Sequence, residues 1–159
     1  QGQSGLRTIS VHRALGPWTT GSSDPADSEG QGAAATPGDC TWIHASSGRP
    51  DILWTNAGGD FATTASASAD TTATGLQSWS GEGLIADIVA FLANPSENFG
   101  WFLVGDESTS GTTRRFDSAD STAEGGSAPT LTIGFLSIPS PAGLAVLAGL
   151  GVCARRRRA

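Results

Sequence analysis

The chain has 159 residues, of which 22 are glycine and 8 are proline, and only 15% are charged. That length accommodates one domain with appendages. Lysine is absent, and up to residue 137 five arginines stand against fifteen acidic residues, a net charge of −10. Such an acidic body excludes a binding mode driven by nucleic-acid phosphates or anionic lipids.

We expect the chain to be the C-terminal part of a longer exported precursor. It opens on Gln1, contains no methionine and begins with no charged-then-apolar signal peptide. Of its two cysteines, Cys153 lies inside a terminal apolar run, so Cys40 and Cys153 are both predicted to be unpaired. The cysteines therefore carry no information about the compartment.

Short strand candidates separated by turn residues make up the first half of the chain. The first covers residues 8–13 and is followed by a long polar loop at 19–39. Residues 41–45 and 52–54 are further candidates, and 62–74 contains a candidate edge strand. Recurrent glycines and prolines between them favour a sandwich or a jelly roll.

One helix and three more strands are predicted in the second half. The helix is predicted from an apolar stripe at helical spacing, which leaves out Asp87 and consists of Leu84, Ile85, Ile88, Val89, Phe91 and Leu92. Asn94-Pro95 ends this helix, because a proline disfavours helical geometry at the preceding residue. The strands are a buried one at 101–104, a short one at 114–116 and a half-buried, alternating one at 130–135.

These elements predict a mostly β fold, a jelly-roll-like antiparallel β-sandwich with one short helix, plus a C-terminal hydrophobic helix. The sandwich domain is assigned to residues 1–136 and a proline hinge to residues 137–141. Residues 142–159 form a separate tail. The few strands would leave open sheet edges, so we expect further strands upstream of Gln1.

The tail combines a short apolar run with terminal basic residues. Residues 142–154 are free of charge, and Arg155, Arg156, Arg157 and Arg158 follow directly. Thirteen helical residues rise about 20 Å, less than the hydrocarbon core of about 30 Å, which alone favours a core helix or a signal-like segment. A core helix would not end in four arginines, and basic clusters stay on the cytoplasmic side of a membrane. We therefore interpret 142–159 as a sorting or anchoring tail.

The tail resembles a PEP-CTERM sorting signal, the tripartite C-terminus of Gram-negative surface proteins that exosortases process. The matching parts are Pro139, Ser140 and Pro141, the apolar run, and the arginine cluster. Ser140 stands where that motif has a glutamate. The resemblance implies export, transient anchoring in the inner membrane through residues 142–154, and cleavage near residues 139–141 by an exosortase-like enzyme.

The body resembles the second half of the DNRLRE family of secreted β-sandwich domains, which overlaps with carbohydrate-binding-module-like domains. The matching segments between residues 6 and 136 are Ile9–Arg13 with Trp18, Cys40–Trp42, Gly58–Phe61, Leu84–Leu92 with Asn98–Trp101, Arg114–Ser118 and Pro129–Ile133. The opening strands of such a domain are absent. The resemblance implies a secreted, non-catalytic structural or glycan-binding module.

Tryptophans are the candidate ligand-binding residues, because exposed aromatic faces stack against the apolar faces of sugar rings. Trp18 and Trp54 border glycine- or proline-rich turns and are the predicted glycan-binding candidates. Trp42 and Trp101 lie in apolar strand candidates and are predicted to be core residues.

The acidic residues and the histidines do not form a recognisable metal or catalytic motif. A structural Ca²⁺ would need six to eight oxygens, and the spacing of Asp24, Asp27, Glu29 and Asp39 fits a solvated loop better. His12 and His44 are predicted to have a structural or surface role. No thiol-enzyme signature surrounds the Cys40–His44 pair, and any acidic domain offers carboxylate pairs such as Asp60 and Glu82. The sequence therefore predicts no catalytic residue, no metal site and no cofactor.

The combined prediction is a non-catalytic module of a bacterial cell surface or extracellular matrix that carries a sorting signal. The alternative is a carbohydrate-binding module that targets polysaccharide. An enzyme would require His44 or an acidic pair to converge in a cleft.

Overall fold

In a computed structural model, the described residues are 6–24, 32–71, 75–106, 108, 112, 114–119 and 127–136. They fall into two units, one within Gln1–Phe116 and the other within Asp117–Ala159. The described helices and strands all lie in the first unit. The proline hinge and the tail at 137–159 lie outside the described residues, as does the predicted C-terminal helix.

Two antiparallel sheets form the framework of the first unit. The three-stranded sheet has the order β4-β1-β5, with β1 at Arg7–Arg13, β4 at Ala67–Thr71 and β5 at Trp101–Val104. The two-stranded sheet pairs β2, His44–Ser46, with β3, Ile52–Leu53. The prediction of a β-rich fold with antiparallel sheets is therefore confirmed.

The central strand β1 has two different faces because its residues alternate. Ile9 and Val11 are buried on one face, with exposures of 5% and 6%. On the other face, Thr8 donates a hydrogen bond to Asp70 over 2.7 Å, and the Ser10 and Ser68 hydroxyls are 2.9 Å apart. Cross-strand pairs of this kind fix the register, here Ile9 opposite Ala69 and Ser10 opposite Ser68.

Helix α1, Glu82–Ala93, lies along the predicted segment and ends at Asn94, with a short 3₁₀ helix at Pro95–Glu97. The prediction of which face is buried was partly wrong. Asp87 and Phe91 are the buried residues, whereas Ile85, Val89 and Leu92 are 65%, 60% and 76% exposed. The reason is that the buried face of α1 is centred on a carboxylate that meets polar groups of the sheet, described below.

Two predicted strands are not formed in the structure. Residues 114–116 are irregular, and Phe116 instead contacts Trp79 edge to face, with ring centroids 5.8 Å apart. Residues 130–135 are also irregular, and Leu131 and Phe135 are exposed rather than half-buried. A strand requires a hydrogen-bonded neighbour, and the described part of the second unit contains none.

Candidate functional site

The face of the three-stranded sheet opposite α1 carries a row of packed rings, which we call the aromatic row. It consists of Trp54, Phe102, Phe61 and His12, whose neighbouring ring centroids are 5.6, 5.4 and 5.2 Å apart. Phe102 belongs to β5 and His12 to β1, where the two residues are register partners. Trp54 follows β3, so the row joins the two sheets through aromatic contacts.

The structure contradicts the assignment of Trp54 to a glycan-binding surface. Its side chain is 7% exposed, and its indole N–H donates to the carbonyl of Thr41 over 3.0 Å. The apolar residues Ile52 and Leu53 that precede it are exposed instead. The glycine turn after Trp54 folds back over the sheet and places this ring against Phe102, which the sequence pattern alone could not indicate.

Trp18, the other glycan candidate, is 40% exposed. Its indole N–H donates to the carbonyl of Phe99 over 2.9 Å, which holds the polar edge of the ring against the loop that precedes β5. Part of the ring therefore remains accessible, while its hydrogen-bond donor is already used.

The core assignments of Trp42 and Trp101 have opposite outcomes. Trp101 is half-buried, stacks edge-on against Phe91 at 5.2 Å and donates to Asp87 over 2.8 Å. Trp42 is 60% exposed, so its prediction as a core residue was wrong. The segment before β2 turns outward at this residue and leaves only one face of its ring covered, by Gly58.

Asp87 is the buried acid that the sequence pattern placed outside the helix stripe. Its carboxylate accepts hydrogen bonds from the Ser66 hydroxyl and the Trp101 indole, and it lies 3.7 Å from the Nε atom of Arg13. These partners come from the segment before β4, from β5 and from β1. One helix residue therefore links α1 to β1, to β5 and to the segment that precedes β4.

Asp39 was predicted to lie in a solvated loop, and the structure buries it instead, with an exposure of 3%. Its carboxylate accepts hydrogen bonds from the backbone N–H groups of Thr36, Ser22 and Ser23. The bond from Thr36, followed by those from Ser22 and Ser23, holds the pKa of Asp39 well below its ordinary value, although burial opposes this shift. Asp39 thus closes the long 19–39 loop as a structural anion.

Stability is expected to fall in acid partly through Asp39. Its unfolded carboxyl takes up a proton near pH 3.8, whereas the folded one resists protonation to lower pH. The contribution is therefore complete above that ordinary pKa and is lost as the pH falls below it. Thermal unfolding followed by circular dichroism between pH 6 and pH 3 should show a smaller drop in Tm for Asp39→Asn than for the native chain. Equal drops would contradict this role.

Three of the residues considered for catalysis, His12, His44 and Asp60, are engaged in structural contacts. His12 Nδ1 lies 2.7 Å from the Ala62 carbonyl oxygen, and His44 Nδ1 lies 2.8 Å from the Thr41 hydroxyl. Asp60 accepts from the backbone N–H groups of Thr55 and Asn56, which lowers its pKa. Burial raises the pKa of the Cys40 thiol, which disfavours the nucleophilic thiolate.

An open groove of about 320 Å³ lies beside the end of β1 and helix α1. Its lining includes Leu15, Phe91 and Phe99, and its charged members are Arg13 and Glu97. Arg13 already faces Asp87, so the groove brings together no acid and base positioned for proton transfer.

Two further kinds of site are absent from the described residues. Among them, no three histidine, cysteine, aspartate or glutamate side chains are grouped closely enough to hold a metal ion. Within the same ranges, no helix has the length and apolar character required to cross a bilayer.

The predicted sorting-signal residues Pro139, Ser140, Pro141 and Arg155 to Arg158 lie outside the described residues, as do Asp27 and Glu29. Comparison of the chain with protein-family models, with curated proteins and with solved structures gave no significant match.

Proposed function

We propose that the chain is a non-catalytic structural module of a bacterial cell surface or extracellular matrix, exported and equipped with a C-terminal sorting signal. The observation that carries this proposal is the structural use of its chemically reactive side chains. His12, His44 and Asp60 each bind groups of the chain itself, as does the buried Asp39. A general base or nucleophile must instead be able to meet a substrate.

The finer architecture we propose is a jelly-roll-like β-sandwich of the DNRLRE type. Support comes from the aromatic row, in which Trp54 beside the β2–β3 sheet packs on Phe102 of the larger sheet. Aromatic contacts between two antiparallel sheets are typical of the interior of a sandwich. The Cα register of β1 with β4 and β5 provides the antiparallel ladder of one layer.

The tail gives the module its location in this proposal. Residues 142–154 hold the protein in the inner membrane, Arg155 to Arg158 stay on the cytoplasmic side, and an exosortase-like enzyme cleaves near Pro139-Ser140-Pro141. The body is then released to the cell surface or matrix. Its acidic, lysine-free composition suits an extracellular protein that must stay soluble.

Replacing Arg155 to Arg158 by alanine should impair retention and processing, because the positive charges that fix the tail on the cytoplasmic side are removed. We expect cell fractions of the host to contain uncleaved or mislocalised protein, with an unchanged circular dichroism spectrum of the body. The matched control replaces Arg49 and Arg115, two exposed arginines of the body, and should be processed normally. Normal processing of the tail variant would contradict the sorting-signal interpretation.

A carbohydrate-binding module is the second candidate function. It is favoured by two aromatic side chains that remain at the surface, Trp18 at 40% exposure and Trp42 at 60%. Polysaccharide or extracellular matrix would be the partner, and neither candidate function needs a cofactor.

A further inference from the structure

The indole of Trp42 presents one open face and has the other covered. A Cβ atom built on Gly58 would lie 2.9, 3.2 and 3.3 Å from three carbons of the Trp42 ring. The ring therefore rests directly on the Gly58 backbone, where no side chain could be accommodated. With the rear face covered and a total exposure of 60%, the accessible part of the side chain is its outer face and edge.

The segment that carries this ring is fixed by hydrogen bonds on both sides. The carbonyl of Trp42 accepts from the Gly58 N–H over 2.7 Å, which joins it to the turn beneath. The neighbouring Thr41 accepts from the indole of Trp54 and, through its hydroxyl, from the backbone N–H of His44. A surface group held in this way loses little conformational freedom when it binds a ligand.

The polar edge of the same ring is also available. The indole N–H groups of the other four tryptophans all donate within the chain. Trp18 donates to Phe99, Trp54 to Thr41, Trp79 to Ile9 and Trp101 to Asp87. For Trp42, no acceptor within the described part of the chain lies at hydrogen-bonding distance of the indole N–H. A ligand at the open face would therefore find an apolar surface and an unused donor beside it.

We propose that Trp42 is a stacking platform for a pyranose ring of a neutral polysaccharide. The apolar C–H face of the sugar would cover the indole, and the indole N–H would donate to a sugar hydroxyl. The exposed Thr55 and Asn56 belong to the turn beneath the ring and can supply further hydrogen bonds. This site deepens the second candidate function, on which it rests, and the structural role proposed above stands without it.

The negative charge of the chain disfavours anionic ligands at the Trp42 ring. With a net charge of −10 up to residue 137, the body repels polyanions such as nucleic acids and uronic-acid polymers. A protein partner is the competing occupant, because Ile43 and Leu53 in the same hairpin are 52% and 63% exposed. A protein interface would use those aliphatic side chains, whereas a single stacked sugar needs only the indole and its polar neighbours.

Affinity electrophoresis of the 159-residue chain in native gels tests this site, with cellulose ether, xylan, galactomannan or starch as the immobilised probe. We expect at least one of them to retard the native chain, and Trp42→Ala to weaken binding about tenfold or more. Trp42→Phe should retain part of the binding, because it keeps an aromatic ring. Leu53→Ala, a matched loss of an exposed apolar side chain, should bind like the native chain.

Nuclear magnetic resonance gives a second readout that does not depend on affinity in a gel. The indole N–H signal that is missing in Trp42→Phe belongs to Trp42, and addition of the retarding glycan's oligosaccharide should shift it. The proposal is overturned if none of the four polysaccharides retards the chain, or if Trp42→Ala binds as well as the native chain. A loss of polysaccharide binding in Leu53→Ala as large as that in Trp42→Ala would also overturn it, because the indole would then not be the specific stacking group.

Discussion

Asp87→Ala is expected to lower the free energy of unfolding by about 2–4 kcal/mol, because it leaves part-buried donors without their acceptor. The Trp101 indole and the Ser66 hydroxyl both donate to this carboxylate, and Arg13 faces it at 3.7 Å. Urea unfolding followed by circular dichroism would measure the loss. Asp87→Asn retains the shape and one acceptor oxygen, so it should recover part of the stability.

The control for this prediction is Glu82→Ala on the same helix. Glu82 is exposed in the first turn, so its removal changes the net charge equally but costs less than about 1 kcal/mol. A similar loss for the two alanine variants would show that Asp87 acts only as a surface charge, contrary to its position in the structure.

Gly59→Ala is expected to lower the free energy of unfolding by about 2–4 kcal/mol, for two reasons that add. Gly59 has φ +120°, a conformation that L residues rarely adopt. An added Cβ would also lie 2.5 and 2.7 Å from two carbons of the Phe102 ring, in the middle of the aromatic row. Thermal and urea unfolding of the variant would give the loss.

The Gly75→Ala variant separates the effect of backbone strain from the effect of the contact with Phe102. Gly75 has a similar φ of +107°, but a Cβ there would meet no atom of the described residues within 4 Å, so the variant reports backbone strain. We expect Gly59→Ala to be the more destabilising change by about 1–2 kcal/mol. Adding Phe102→Leu to Gly59→Ala should recover part of that difference. Equal losses for the two glycine variants would rule out the contact with Phe102.

Much of the framework could be predicted from local patterns. The strand candidate at 8–13 lies within β1, and helical spacing with Asn94-Pro95 located α1 and its C-terminal end. The small-residue stretch before Thr74 contains the edge strand β4, whose alanines fit beneath the helix side of the sheet. These features depend on neighbours close in sequence, which is why the residues themselves carry the signal.

The remaining features depend on contacts between distant residues. Residues 130–135 alternate as a strand should, yet alternation cannot supply a neighbouring strand, and the segment stays irregular. Asp87 appeared to be a polar interruption of the helix, because its acceptor role depends on Trp101 and Ser66 from other elements.

The burial of the tryptophans at the candidate site also depends on contacts between residues that are distant in sequence. Their sequence neighbours predicted Trp42 inside and Trp54 outside, and the structure reverses both. The turn at 56–60 decides the outcome, because Gly58 supports the ring of Trp42 while the chain folds Trp54 onto Phe102. The sequence signal for this turn was the pair Gly58-Gly59, which follows Trp42 and Trp54. That pair did not indicate which of the two indole rings the turn would cover.

The central claim, a surface module released from a sorting tail, is tested most directly by the intact mass of the mature protein isolated from its host. The account predicts a C-terminus near Pro139-Ser140-Pro141, with residues 142–159 removed. A mature protein that still ends in Arg155 to Arg158 and Ala159 would contradict sorting by cleavage and, with it, the proposed route to the cell surface.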